Sequence, residues 1–138
     1  MQCMYVTTVL PLQQEMKPYG PELILDLHNC DPTTFTRKSL KAYFKKVCDL
    51  TNMERSKLCW WDDYWVPWFW KETEPHIKGT TAVQFIRTSN ITIHTLEIQK
   101  AVRLNIFTCK PFDPVIVEAY TLDHFGGKVV NRYFIQRF

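Results

Sequence analysis

The sequence predicts an α/β (α+β) two-layer sandwich: a mainly antiparallel sheet with two helices on one face. Three observations carry that expectation. Several short runs alternate apolar with polar residues, the period of half-buried strands, as in Asn90-Ile91-Thr92-Ile93-His94. Two longer stretches repeat their apolar residues at helical spacing behind capping residues. The order strand, helix, strands, helix, strand suits a sheet whose helices gather on one side. At 138 residues the chain is near the usual size of one domain and can bury a core.

Taken in order, residues 1–21 form an N-terminal extension that Pro18, Gly20 and Pro21 separate from the domain at 22–138. Its apolar stretch Val6–Leu10 reads equally as an edge strand, a subunit contact or a loosely ordered tail. Glu22 to Leu27 alternates well enough to be a core strand, with Asp26 and His28 as outward polar positions. Asp31-Pro32 and the threonines after it punctuate a helix start, and Leu40, Phe44 and Val47 then fall on one face. Lys38, Lys41, Lys45 and Lys46 cover the solvated remainder, and Cys48 reads as a small core residue.

Leu58 to Trp70 is dense in aromatics: Trp60, Trp61, Tyr64, Trp65, Trp68, Phe69 and Trp70 surround Asp62 and Asp63. Aromatic faces stack on flat heterocycles and attract cations, so the segment is a candidate platform for a flat, cationic ligand. The plainer reading is core and subunit-interface surface. Thr80 to Arg87 is the next strand and delivers Ser89 to a turn. Beyond the following hairpin, Asp113-Pro114 opens a helix with an apolar stripe of Val115, Ala119 and Leu122, Gly126-Gly127 stops it, and Lys128 to Ile135 closes as a strand.

Composition removes several function classes. A formal charge of +3, without a Lys/Arg-rich run, gives no footprint for nucleic acid. Five cysteines without paired CxxC spacing fit a reducing compartment, and a cytoplasmic protein, better than a disulfide framework or zinc site. No group of ligands has spacing suited to a metal. The run Val6 to Leu12 is interrupted by two threonines and a proline, so neither a signal peptide nor a membrane span is expected.

The chemistry concentrates between Ser89 and Cys109. Ile91 and Ile93 alternate with Asn90, Thr92 and His94, while Val102, Leu104 and Ile106 alternate with Arg103, Asn105, Phe107 and Cys109. The break at Glu97 to Lys100 is short enough for a hairpin. Setting Ile91/Ile93 beside Leu104/Ile106 gathers Asn90, His94, Asn105 and Cys109 on the opposite face, with Ser89 near the end where Cys109 finishes the return strand. A hydroxyl, an imidazole and a thiol are expected to converge.

This hairpin resembles that of the prokaryotic-type S-adenosylmethionine decarboxylases. In that family Glu-Ser-His-x-Ser/Thr-Ile-His-Thr is followed by a strand ending Phe-Thr-Cys, and Ser89, Ile93, His94, Thr95, Phe107, Thr108 and Cys109 match without a gap. Leu25-Asp26-Leu27-His28-Asn29-Cys30-Asp31 is similar to the family's first-strand segment Leu-Asp-Leu-Tyr-Gly-Cys-Asp. Thr88 and Asn90 stand where the family has glutamate and histidine. Leu96-Glu97-Ile98 stands where it has Trp-Pro-Glu, the last of which holds the substrate ribose.

The resemblance implies a pyruvoyl-dependent decarboxylase that makes its cofactor from its own chain. A carbanion left by loss of carbon dioxide needs an electron sink that no side chain supplies, and a carbonyl group provides one. Self-cleavage between Thr88 and Ser89 would yield fragment 1–88 and a fragment starting at 89 with a pyruvoyl group derived from Ser89. By the resemblance His94 is the base in processing and Cys109 the proton donor in turnover. Trp60, Trp61, Asp62, Asp63, Trp65 and Glu97 are the candidate substrate-binding residues. The resemblance further implies a homodimer and a role in polyamine synthesis. Two alternatives stay open: a basic amino acid such as arginine or ornithine as substrate, motivated by Ile98, and a non-processing homologue that binds a metabolite or protein, motivated by Thr88 and Asn90.

Overall fold

The computed structural model describes residues 16–138, so the Val6–Leu10 stretch lies outside the described residues. The chain runs through β1 (Gly20–His28), α1 (Arg37–Leu50), β2 (Arg55–Trp61), β3 (Gly79–Ile86), β4 (Ser89–Leu96), β5 (Ala101–Phe107), α2 (Pro114–Phe125) and β6 (Lys128–Arg137). The strands form one antiparallel sheet in the order β2-β3-β4-β5-β1-β6. Both helices lie on the same face, as expected. β1 starts at Gly20, so Gly20 and Pro21 belong to the sheet and not to an extension ending at residue 21.

The helices begin where their caps dictate. The Thr36 hydroxyl accepts the amide hydrogen of Ser39, and the Asp113 carboxylate accepts that of Val115 with Pro114 at the first helical position. Helical spacing then turns Leu40, Tyr43, Phe44, Val47 and Cys48 of α1 onto the sheet. They meet Leu23, Leu25 and Leu27 of β1 and the paired rows Ile91–Ile106 and Ile93–Leu104 of the β4–β5 hairpin. Each fully buried leucine or isoleucine contributes roughly 1.5–3 kcal/mol by leaving water.

α2 corrects one expectation. Its buried stripe is Val117, Thr121 and Phe125, whereas Val115 is 61% exposed and Leu122 lies half-buried at the rim. The preference for Thr121 over an apolar neighbour has a local cause. The buried Tyr43 hydroxyl pairs with the Thr121 hydroxyl at 2.8 Å, and the Tyr43 ring stacks on Tyr120 at 5.6 Å, so a polar residue is satisfied at the helix–helix contact.

Among the described residues, no helix covers the other face of the sheet. Polar Thr81, His94, Arg103 and Asp26 line up across β3, β4, β5 and β1 in one cross-strand row, since Thr81 pairs with His94, His94 with Arg103 and Arg103 with Asp26. Exposed Trp61, Phe85, Tyr133 and Ile135 share this open face.

Candidate active site

Ser89 opens β4 directly after the two-residue turn Arg87–Thr88. Its side chain is buried, and its Oγ accepts the amide hydrogen of Cys109 at 3.0 Å. Thr88 sits at φ 51°, in the left-handed region where a β-branched residue is strained. The Thr88 hydroxyl donates to the Arg87 carbonyl at 2.8 Å and lies 3.5 Å from the Cys109 sulfur; one proton serves both acceptors, so its hold on the sulfur is partial. Hydrogen bonds from Thr88 first, and then Ser89, hold the Cys109 thiol below its ordinary range. A cleft of about 480 Å³, lined by Met53, Ile86, Thr88 and Cys109 among others, opens beside this cluster.

His94 is at the other end of the strand. Five residues at about 3.3 Å each separate it from Ser89, roughly 17 Å along β4. The expected convergence of hydroxyl, imidazole and thiol is therefore half right within one chain: Ser89 and Cys109 meet, and His94 does not join them. The physical reason is parity. Ser89 shares the helix-facing side with Ile91 and Ile93, and His94 projects from the open face. There its Nδ1 is 2.8 Å from the Thr81 hydroxyl, its cross-strand neighbour. One side of the ring is exposed, yet the sheet around it lowers the imidazole below the ordinary histidine value of 6.5 through desolvation. A cleft of about 780 Å³ runs past His94, Thr81, Trp61, His76 and Arg103.

The candidate substrate-binding residues divide between faces. Consecutive strand residues point oppositely. Trp61 thus joins His94 in the open-face cleft, while Trp60 turns inward, packs against the core and lies under the Arg37 guanidinium at 5.3 Å. Asp62 is engaged by Arg37 through two 2.7 Å hydrogen bonds, and that guanidinium holds its carboxyl below the usual range. Asp63 accepts the Glu72 amide at 3.1 Å and closes the β2–β3 loop. Both aspartates and Glu97 line a third cleft of about 460 Å³ beside the start of α1; it adjoins the His94 cleft at Gly79 and Thr80 and does not include Ser89. Trp65 is 88% exposed and touches Tyr64 edge-on at 5.1 Å. Loop closure and strand parity thus give Trp60 a packing position, Asp62 and Asp63 bridging positions and Glu97 a place on the cleft beside α1.

A sequence model of the family described as S-adenosylmethionine decarboxylase matches residues 21–138. The chain belongs to the S-adenosylmethionine decarboxylase family. The fold agrees: the crystal structure of the adenosylmethionine decarboxylase from Aquifex aeolicus VF5 superposes with a TM-score of 0.67, covering 88% of this chain and 92% of that one at 17% identity. No curated protein sequence matches the chain significantly. Membership makes it a carboxy-lyase of the S-adenosylmethionine decarboxylase type.

Two residues of this family member escaped the reading of its sequence. Thr81, the partner of His94, was legible in principle: a two-residue turn at Arg87–Thr88 sets a register that puts residue 81 opposite residue 94. Tyr19 had no such signal. Its hydroxyl donates to the Thr88 carbonyl at 2.9 Å, across 69 residues of sequence.

Proposed function

We propose that the chain is a precursor that cleaves itself between Thr88 and Ser89, then decarboxylates S-adenosylmethionine with the resulting pyruvoyl group, as a homodimer. The observation that carries this reading is the Thr88–Ser89–Cys109 cluster, which keeps a buried serine hydroxyl beside a strained residue and a half-buried thiol. These residues fit such a group: one made from Ser89 stays on β4 next to the amide and sulfur of Cys109. The pyruvoyl carbonyl supplies the electron sink for the carbanion that decarboxylation leaves.

The side chains take these roles. Ser89 is the nucleophile in self-cleavage. His94, neutral with its proton on Nδ1 and donating to Thr81, presents a free Nε2 as the base that removes the Ser89 α-proton in the elimination. Cys109, its pKa lowered, holds the proton that is returned to the substrate carbon. Trp61 offers an aromatic face to the adenine in the cleft it shares with His94.

The separation of His94 from Ser89 supports the dimer. A two-fold axis lying between two stacked sheets, perpendicular to their strands, reverses strand direction and turns the open faces together. An axis crossing β4 near Ile91–Thr92 would bring the partner subunit's His94 to the Ser89 end of the strand, on the backbone side opposite the Ser89 hydroxyl, and would cover exposed Trp61, Phe85 and Tyr133. The four cysteines among the described residues that are all free suit a reducing cytoplasm. A decarboxylated S-adenosylmethionine product is a donor for polyamine synthesis.

The test is direct. Purified protein should resolve into two fragments under denaturing conditions, the second with the mass of residues 89–138 bearing a pyruvoyl start, and Ser89→Ala should abolish the split. Processed protein should release carbon dioxide from S-adenosylmethionine and not from arginine or ornithine. Persistence of the full-length chain would sink self-processing, and release from a basic amino acid alone would replace the substrate.

A further inference from the structure

We infer that Tyr19 is a catalytic residue of self-processing: its hydroxyl is the hydrogen-bond donor that stabilises the oxyanion formed on the Thr88 carbonyl oxygen. The inference rests on the proposed self-cleavage and names a group outside the stretch that matches the family, which begins at residue 21.

The geometry is specific. The Tyr19 hydroxyl donates to the Thr88 oxygen at 2.9 Å, within the 2.7–3.1 Å or so expected of an oxyanion donor. That oxygen belongs to the peptide group Ser89 attacks. The Tyr19 ring stacks on Phe107 at 5.5 Å, and its amide donates to the Arg137 carbonyl at 2.7 Å, so the donor is fixed from two directions. Gly20 makes the approach possible. A Cβ at that position would lie 2.0 Å from the Thr108 carbonyl oxygen, so only glycine lets the chain cross the Thr108–Cys109 segment this closely and set Tyr19 over the turn.

The step balances without an outside reagent. Ser89 Oγ forms a bond to the Thr88 carbonyl carbon and gives up its proton, and the π pair moves onto the carbonyl oxygen, where Tyr19 holds the charge. When that pair returns, the carbon–nitrogen bond breaks and the nitrogen takes the proton, leaving an ester between Thr88 and the Ser89 side chain. A hydrogen bond to a charged oxygen is roughly twice as strong as one to a neutral carbonyl, so the same contact favours the intermediate over the resting peptide. Elimination then expels the Thr88 carboxylate and leaves dehydroalanine, and water converts this to the pyruvoyl group with release of ammonia.

Tyr19→Phe keeps the ring on Phe107 and deletes only the donor. Freshly purified precursors of the wild type, Tyr19→Phe and His94→Ala are followed by denaturing electrophoresis and intact mass, with and without hydroxylamine, which cleaves esters but not peptides. Loss of one oxyanion donor should slow self-cleavage by about 10²–10³-fold. It should slow hydroxylamine-induced cleavage equally, because ester formation is the step affected. His94→Ala, blocked later, should stay sensitive to hydroxylamine. Replacing Tyr19 by a ring-fluorinated tyrosine, a stronger acid of the same shape, should speed ester formation. Tyr19→Phe splitting at the wild-type rate would overturn the role while leaving self-processing intact. So would slow splitting with undiminished hydroxylamine sensitivity, or a fluorotyrosine chain no faster than wild type. A wild-type chain that never splits removes the reading on which the role depends.

Discussion

Thr88 stores strain on the acyl side of the bond that self-processing would break. A β-branched residue at φ 51° is held there by the two-residue turn and by its contacts to Arg87 and Cys109, at a cost of order 1–3 kcal/mol. In the non-cleaving Ser89→Ala background, Thr88→Gly should therefore raise unfolding stability by about 1 kcal/mol, measured by denaturant titration. An unchanged or lower stability would mean the turn carries no strain. His94 gives a second expectation at this scale. Burial lowers its pKa below 6.5, so the neutral base persists to lower pH than an ordinary histidine allows. If His94 is the base, the elimination rate should fall as pH drops, with a midpoint below 6.5, as the ring gains its proton. A midpoint above 6.5 would argue against His94 as the base.

At the scale of elements, α2 shows how a tertiary partner selects a helix face. Val117 is fully buried against the core and Val115 is 61% exposed, although both are valines within one turn of each other. Val117→Ala should destabilise by roughly 2 kcal/mol through lost burial and a residual cavity. Val115→Ala should stay within about 0.5 kcal/mol of neutral. Thermal or denaturant unfolding of the two variants side by side checks the assignment, and equal effects would contradict it. The β4–β5 hairpin makes the opposite case. Its register, Ile91 with Ile106 and Ile93 with Leu104, is the one that alternation alone specified, because a slip by one residue would turn every isoleucine to solvent.

At the scale of the whole molecule, one chain holds Ser89 and Cys109 at one end of β4 and His94 at the other. If a second copy supplies the histidine, mixing two dead variants should restore processing. In cells making both Ser89→Ala and His94→Ala chains, the His94→Ala chain should split, because the partner's His94 is intact, and the Ser89→Ala chain should not. No split in the mixture, with each variant folded and dimeric by scattering, would place the base elsewhere.

The sequence by itself determined the sandwich, the strand and helix order, the α1 core face and the meeting of Ser89 with Cys109. Each of these follows from local periodicity, capping and the parity of a hairpin, which neighbouring residues encode. Tertiary structure alone decided the rest. Trp60 and Trp61 look alike in sequence, and only the sheet sends one to the core and the other to the cleft with His94. Asp62 is claimed by Arg37 from 25 residues away, and the Thr88 carbonyl by Tyr19 from 69. Such contacts depend on which surfaces the finished sheet brings together, and no local pattern of residues specifies them.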